Sequence, residues 1–230
     1  MNTIAIVPAR GGSKRIPRKN IKEFCGQPII KYSIDALLES GLFDEVIVST
    51  DDRQVAEVAI ENGANVPFMR SKKNSGDFAT TEEVIAEVLN WYKTIGKNFD
   101  YYCCLYATAP FVTAEKLKNA LQLLISSQAS FLTPVVQYSY PPQRCRTVRN
   151  GRLEMWWPEQ KDARSQDLEP LYHDCGQFYF GRTDDFFHFG MAGANVVPMI
   201  LPEVEVQDID TESDWIIAEM KYRLAHRSEK

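Results

Sequence analysis

The densest chemistry in this chain sits near its amino end, in Arg10-Gly11-Gly12-Ser13-Lys14 followed by Arg15, Arg18, Lys19-Asn20 and Lys22. Six of the 26 Lys and Arg residues fall between Arg10 and Lys22, although the formal net charge of the whole chain is -5. Paired glycines let backbone N–H groups approach an anion closely, and the basic heads neutralise it. A nucleoside triphosphate is the natural guest, and a solvated basic turn is the alternative. The spacing fits neither common phosphate pattern. Ile16 and Pro17 stand where a Gly-x-x-x-x-Gly-Lys loop needs its second glycine, and no Gly-x-Gly-x-x-Gly run follows.

A second constellation is Asp208-Ile209-Asp210. On extended backbone, residues two apart face the same way, so the two carboxylates converge. Two hard oxygen ligands suit Mg²⁺, which keeps part of its shell for water and substrate phosphates. A helix N-cap at Asp210 is the competing reading. Tyr106-Ala107-Thr108-Ala109-Pro110 leaves the central strand at its carboxyl end, where open α/β sheets bind ligands. Arg164 has the geometry to pair bidentately with a carboxylate, or to form an ordinary structural ion pair. His173 reads as a hydrogen-bonding residue rather than a general base.

These residues need a scaffold, and the hydrophobic pattern supplies one. Short apolar runs at residues 3–7, 45–49, 65–68, 101–106 and 130–136 alternate with amphipathic stretches, predicting a mostly parallel, Rossmann-like α/β sheet flanked by helices. The helical stripes are Ile30, Ile34, Leu37 and Leu38, opened by Pro28 and stopped by Gly41; then Val55, Val58 and Ala59; Val84, Ile85, Val88 and Leu89; and Leu117, Ala120, Leu121 and Leu124. Residues 175–180 and 196–201 read as late strands. Residues 211–225 read as a closing helix with Ile216, Ile217, Met220 and Leu224 inward. The alternation breaks over about 137–174, where aromatic and Pro residues mix with Arg144, Arg146, Arg149 and Arg152. That segment is expected to be an arm inserted into a single domain spanning 1–230, covering the site and meeting a second subunit.

Composition narrows the classes. A hydrophobic share of 44% supports a packed core rather than disorder. No apolar run reaches membrane-spanning length, and no leader precedes the first strand, so the sequence points to a cytoplasmic protein away from membranes. The acidic balance argues against nucleic acid as a partner. Five cysteines without Cys-x-x-Cys and three histidines without ligand spacing leave zinc without a ligand set, and reduced, mostly buried thiols are expected.

Taken together, Ile6-Val-Pro-Ala-Arg-Gly-Gly-Ser-Lys14, Lys19-Asn20, Ser49-Thr50-Asp51, Arg70 with residues 77–81, and Asp208-Ile-Asp210 resemble the sugar cytidylyltransferases that make CMP-activated nonulosonic acids. The resemblance spans nearly the whole chain. The runs 106–111, 164–169 and 172–178 look most like the branch that activates pseudaminic acid. Neuraminate-activating members usually carry Gln-Pro-Thr-Ser-Pro where this chain has Tyr106 to Pro110, and Asn-Gly-Ala in place of Cys175-Gly176-Gln177. Legionaminic and neuraminic acids remain alternatives, as does a catalytically silent nucleotide-binding subunit.

The resemblance implies that Ala9, Arg10, Gly11, Gly12, Ser13, Lys14, Lys19 and Asn20 hold the phosphates of CTP. It places Arg70, Ala79 and Thr81 at the cytosine and ribose. Asp208 and Asp210 match the metal ligands, and Tyr106, Arg144, Arg164, Gln177 and Tyr179 fall near the sugar acid. Catalysis is assigned to Lys19, Arg10 and Asp210, with Mg²⁺ as cofactor. A homodimer, with the arm reaching into the partner's site, is also implied.

Overall fold

The computed structural model describes residues 1–226, built around one seven-stranded sheet. The strands that carry the site are β1 (Thr3–Pro8), β2 (Glu45–Ser49), β3 (Tyr101–Leu105) and β4 (Phe131–Gln137). A hairpin of β5 (Arg146–Arg149) and β6 (Arg152–Met155) stands apart from the sheet. Its Asn150-Gly151 turn has positive φ at both residues, as tight hairpins require. The sheet is completed by β7 (Tyr172–Asp174), β8 (Phe178–Arg182) and β9 (Val196–Ile200).

Strand order is β9-β4-β8-β3-β1-β2, with β7 also on β4. β1 pairs in parallel with β2 and β3, and β9 with β4, whereas β7 and β8 run antiparallel to their neighbours. The predicted sheet is therefore present, with β8 inserted antiparallel at its centre. Cys103 and Cys104 face opposite layers, one in the larger core with Val7 and Leu105, the other with Ile6 and Tyr102. Cys103, Cys104 and Cys175 are buried, but Cys145 on the arm is exposed.

Helices α1 (Ile29–Ser40), α2 (Arg53–Glu61), α3 (Thr81–Thr94) and α4 (Ala114–Ser126) cover the sheet, followed by α5 (Thr183–Phe189) and α6 (Glu212–Ala225). Pro28 caps α1 rather than opening it, and Gly41 ends it at φ 63°. Side-chain caps start the others: Asp52 for α2, Thr80 with Glu83 for α3, and Thr113 for α4.

Four expectations need correction. Residues 65–68 form no strand: Asn65 makes one parallel bridge to Ile47, and Pro67, which has no N–H, stops the ladder. Leu38 stays 43% exposed at the end of its stripe. In α6, Ile216, Ile217, Met220 and Leu224 all face solvent, whereas Trp215 and Ala218 are buried against Phe24, Phe111 and Ile209, with Tyr222 packed beside them. The reason lies at the helix start. A capping box between Thr211 and Asp214 sets the rotation that turns Trp215, Ala218 and Tyr222 inward, and two aromatic rings around a small Ala fill that side. The strand expected at 175–180 starts only at Phe178, because Gly176 turns the chain with φ +61°.

Candidate active site

The basic loop leaves β1 at its carboxyl end, and local packing dictates its path. Ala9 N–H still bonds Ser49 O at 2.9 Å, continuing the β1–β2 ladder by one residue. Gly11 then passes so close to Asp52 that an added Cβ would lie 2.5 Å from its Oδ2, which is why a glycine stands there. Gly11 N–H donates to Asp51 Oδ1 at 3.0 Å, and Asn20 Nδ2 donates to Arg10 O at 2.9 Å, tying both ends of the loop. Ile16 is buried in the cluster with Phe24 and Trp215, fixing the loop's middle. Nothing crowds Gly12.

Arg10, Ser13, Lys14, Lys19 and Asn20 line a cleft of about 620 Å³ together with Arg70, Ala79, Thr81, Tyr106, Asp208 and Asp210. Residues separated by up to 200 positions thus share one hollow. Arg10 reaches Asp77 at 2.9 Å, and Lys14 pairs with the same carboxylate, whose pKa those contacts, Lys14's first, hold below the usual carboxylate range. Arg15 and Lys19 pair with Asp210 at 2.9 and 3.4 Å, and Lys19 also donates to Ile209 O at 2.6 Å. Arg18 is turned away, bound to Asp52 at 2.7 Å as a strut between the loop and α2.

Arg70 is buried beneath the cleft, donating through Nε to Ser49 Oγ at 3.0 Å and through its terminal nitrogen to Ser49 O. Burial pulls its pKa down from the ordinary Arg value. Ala79 N–H is tied to Gly76 O at 3.2 Å, holding the turn that delivers Thr80 and Thr81 to the start of α3.

Asp208 and Asp210 both face the cleft, and the buried Ile209 between them anchors the segment. Burial, and then the charge of Asp210, push the Asp208 carboxyl up. Two carboxylates side by side in one cleft, with no sulfur or imidazole among them, form a donor set suited to a hard divalent cation. No group of three or more metal-ligating side chains occurs among the described residues, so substrate oxygens or water would complete such a shell. The capping alternative for Asp210 fails, because Thr211 is the N-cap and Asp210 offers only its N–H to Asp214.

The residues expected at the sugar divide. Tyr106 lines the cleft, whereas Tyr179 and Gln177 are buried outside its lining: Tyr179 donates to Asp174 at 2.8 Å, and Gln177 donates to Glu205 O at 2.8 Å. Arg144 and Arg164 stand on the exposed arm, bound to Ala163 O and to Asp167. His173 bonds the Asp174 carbonyl through Nδ1 and packs on Tyr138. Sequence reasoning assigned no role to Arg15, Asp77 or Asp174. Apart from near neighbours, their side-chain partners lie 41 to 195 positions away, and no local spacing marks them.

Known proteins resemble this chain in sequence and fold. The cytidylyltransferase family pattern matches residues 4–174. The pseudaminic acid cytidylyltransferase of Campylobacter jejuni is 41% identical over 99% of both chains. The CMP-N,N'-diacetyllegionaminic acid synthase of Legionella pneumophila is 31% identical over 95% of each. Among solved structures, the CMP:2-keto-3-deoxy-manno-octonic acid synthetase complexed with CTP superposes with a TM-score of 0.71, covering 99% of this chain and 100% of its own at 18% identity. At that identity the likeness speaks for the fold.

Proposed function

The chain belongs to the cytidylyltransferase family, and from that premise we propose that it transfers CMP from CTP to the anomeric hydroxyl of a nine-carbon nonulosonic acid. Pseudaminic acid is the acceptor we favour, because the Campylobacter relative that carries its name shares ten percentage points more identity than the legionaminic relative. The observation that carries the reading is the meeting, in one cleft, of a basic Gly-Gly loop, a buried arginine and a carboxylate pair.

In this reading Arg10, Ser13 and Lys14, with the backbone of Gly12, hold the outer phosphates, while Ala9 and Gly11, whose N–H groups are taken by Ser49 O and Asp51 Oδ1, shape the loop instead of binding through those groups. Asn20 keeps the loop closed through Arg10 O. Arg70, Ala79 and Thr81 receive the nucleoside. Lys19, held between Ile209 O and Asp210, meets the charge that develops at the α-phosphate when the sugar hydroxyl attacks and pyrophosphate leaves in line. Arg10 neutralises the charge gathering on the departing group. Asp208 and Asp210 would hold a divalent cation such as Mg²⁺, which when bound neutralises phosphate oxygens and eases loss of the hydroxyl proton.

Arg144 and Arg164 are outside the cleft of their own chain, on an arm that exposes Val148, Leu153 and Trp156. A homodimer in which that arm reaches the partner's site accounts for both facts. No helix among the described residues is long and apolar enough to cross a membrane. The test is product identification: CTP, pseudaminic acid and Mg²⁺ should give a CMP-linked sugar detectable by mass, and a full-length folded enzyme that gives none would refute the reading.

A further inference from the structure

The carboxylate pair sits on a stretch of chain that no sheet ladder holds. Leu201 N–H donates to Val135 O at 2.9 Å, continuing the pairing of β9 with β4 by one residue, and α6 begins only after its Thr211 cap. Between them lie one helical turn, Glu203–Glu205, and the irregular residues that carry Asp208 and Asp210. Among the described residues, the backbone–backbone bonds within this stretch are local ones, from Glu205 N–H to Pro202 O at 3.0 Å and from Val206 N–H to Glu203 O at 3.2 Å.

Long side chains from three other parts of the fold take the place of a ladder. Lys221, on α6, donates to Glu203 O at 3.2 Å and to Val206 O at 2.8 Å. Lys116, on α4, donates to Phe111 O and pairs with the Glu205 carboxylate, both at 2.7 Å. Gln177, just before β8, donates through Nε2 to Glu205 O at 2.8 Å. Its own main-chain carbonyl accepts Tyr106 N–H at 2.8 Å, which fixes it to the end of β3. Residues 203–206 are thus gripped from three sides just ahead of Asp208.

Gln177 separates positioning from stability. It is 1% exposed, and its Oε1 is buried without a hydrogen-bond partner among the described residues. An unmet buried acceptor costs about 1–3 kcal/mol, so an apolar side chain of similar length would serve folding as well. What only the amide supplies is the bond to Glu205 O. Turning the amide over would set its oxygen against that carbonyl, so the donor faces one way.

We propose that Gln177, Lys116 and Lys221 are positioning residues: by holding residues 203–206 they set where Asp208 and Asp210 stand, and thereby how tightly the pair takes a divalent cation. This rests on the reading of Asp208 and Asp210 as metal ligands. None of the three lines the cleft. Lys19 holds the same segment farther along, through Ile209 O at 2.6 Å, so the carboxylates are fixed from both ends.

Mn²⁺ alone, titrated against the full chain and followed by its electron paramagnetic resonance signal, tests this without nucleotide, sugar acid or turnover. Groups that orient metal ligands typically change metal affinity by about 10- to 100-fold. Gln177→Met and Lys221→Met should each weaken Mn²⁺ binding about tenfold, the low end of that range, since they act one step removed. Lys221→Arg keeps the donors and should stay within about twofold of wild type. Lys97→Met removes an ion pair with Glu45 outside the cleft, and should leave Mn²⁺ binding unchanged whatever it does to the melting temperature.

Melting curves check that each variant is folded, and Lys116→Met replaces any that is not, with the same expected weakening. Folded Gln177→Met, Lys221→Met or Lys116→Met that binds Mn²⁺ as the wild type does would overturn the proposal. So would Lys221→Arg binding as weakly as Lys221→Met, or Lys97→Met weakening as much as the others. Wild-type Mn²⁺ binding that is absent, or that survives Asp208→Asn combined with Asp210→Asn, would overturn the metal reading and the proposal with it. Failure to release pyrophosphate with any sugar acid would sink the proposed reaction and leave this binding test standing.

Discussion

Replacing Gly11 by alanine asks whether the basic Gly-Gly loop owes its path to a steric rule. The added methyl carbon would lie 2.5 Å from Asp52 Oδ2, 2.7 Å from its Cβ and 2.9 Å from its Cγ, closer than real Cβ atoms approach. Asp52 is not free to yield. It caps α2 by accepting Val55 N–H at 3.1 Å, and it holds Arg18 through two contacts of 2.7 and 3.1 Å. Losing an N-cap typically costs about 1 kcal/mol, and a partly exposed ion pair contributes about 0.2–1 kcal/mol. Together they put the destabilisation at about 1–2 kcal/mol, which for a chain of this size lowers the melting temperature by roughly 2–8 °C. If the loop shifts instead, Arg10 and Ser13 move with it, and a displacement near 1 Å can cost about a hundredfold in rate. Differential scanning calorimetry and CTP turnover read the two outcomes. Gly12→Ala is the thermal control, since nothing lies within 4 Å of its added carbon. A Gly11→Ala protein that melts with the wild type and turns over within twofold of it would refute the reasoning, as would equal destabilisation by Gly12→Ala.

Lys19→Ala should lower kcat by about a hundredfold or more, by analogy with removing one preorganised donor; a folded variant with near-native turnover removes Lys19 from the mechanism. Asp77→Asn frees Arg10 and Lys14 from a competing carboxylate and should tighten CTP binding a few-fold, whereas weaker binding by titration would make Asp77 part of the grip. Gly176→Ala introduces a side chain at φ +61°, with its Cβ 3.4 Å from Asp208 Cγ. It should cost about 1–2 kcal/mol in stability and raise the metal concentration needed for turnover, and an unchanged metal dependence would count against Asp208 as a ligand. The Asp52 carboxyl is held below its ordinary value of 3.8, chiefly by the Arg18 hydrogen bond. Its contribution is therefore complete above the unfolded pKa and lost as pH falls through the lower folded one, and Asp52→Asn should flatten the acid limb of a stability profile measured from pH 5 downward.

What the sequence disclosed follows the range of the forces involved. Strand and helix periodicity is local, so β1, β2 and β3 and the stripes of α3 and α4 lie where residue patterns place them. The α6 stripe misled because its rotation depends on Thr211 and Asp214 at the helix start and on Phe24 and Phe111 far away. Asn65 looked like the start of a strand because Val66 and Phe68 favour that state, but Pro67 offers no donor to extend the pairing. The Gly-Gly loop and the Asp208/Asp210 pair were legible because their residue types carry their chemistry with them. Asp77 and Asp174 were not, since a carboxylate acquires its role only from the partners that folding brings to it.

The most direct test of the proposed activity is pyrophosphate release with CTP and saturating pseudaminic, legionaminic or N-acetylneuraminic acid, each supplied separately with Mg²⁺. The proposal predicts release with pseudaminic acid at a kcat/KM at least tenfold above either rival. A preference for another acid, or binding of CTP without release on any of the three, would contradict it.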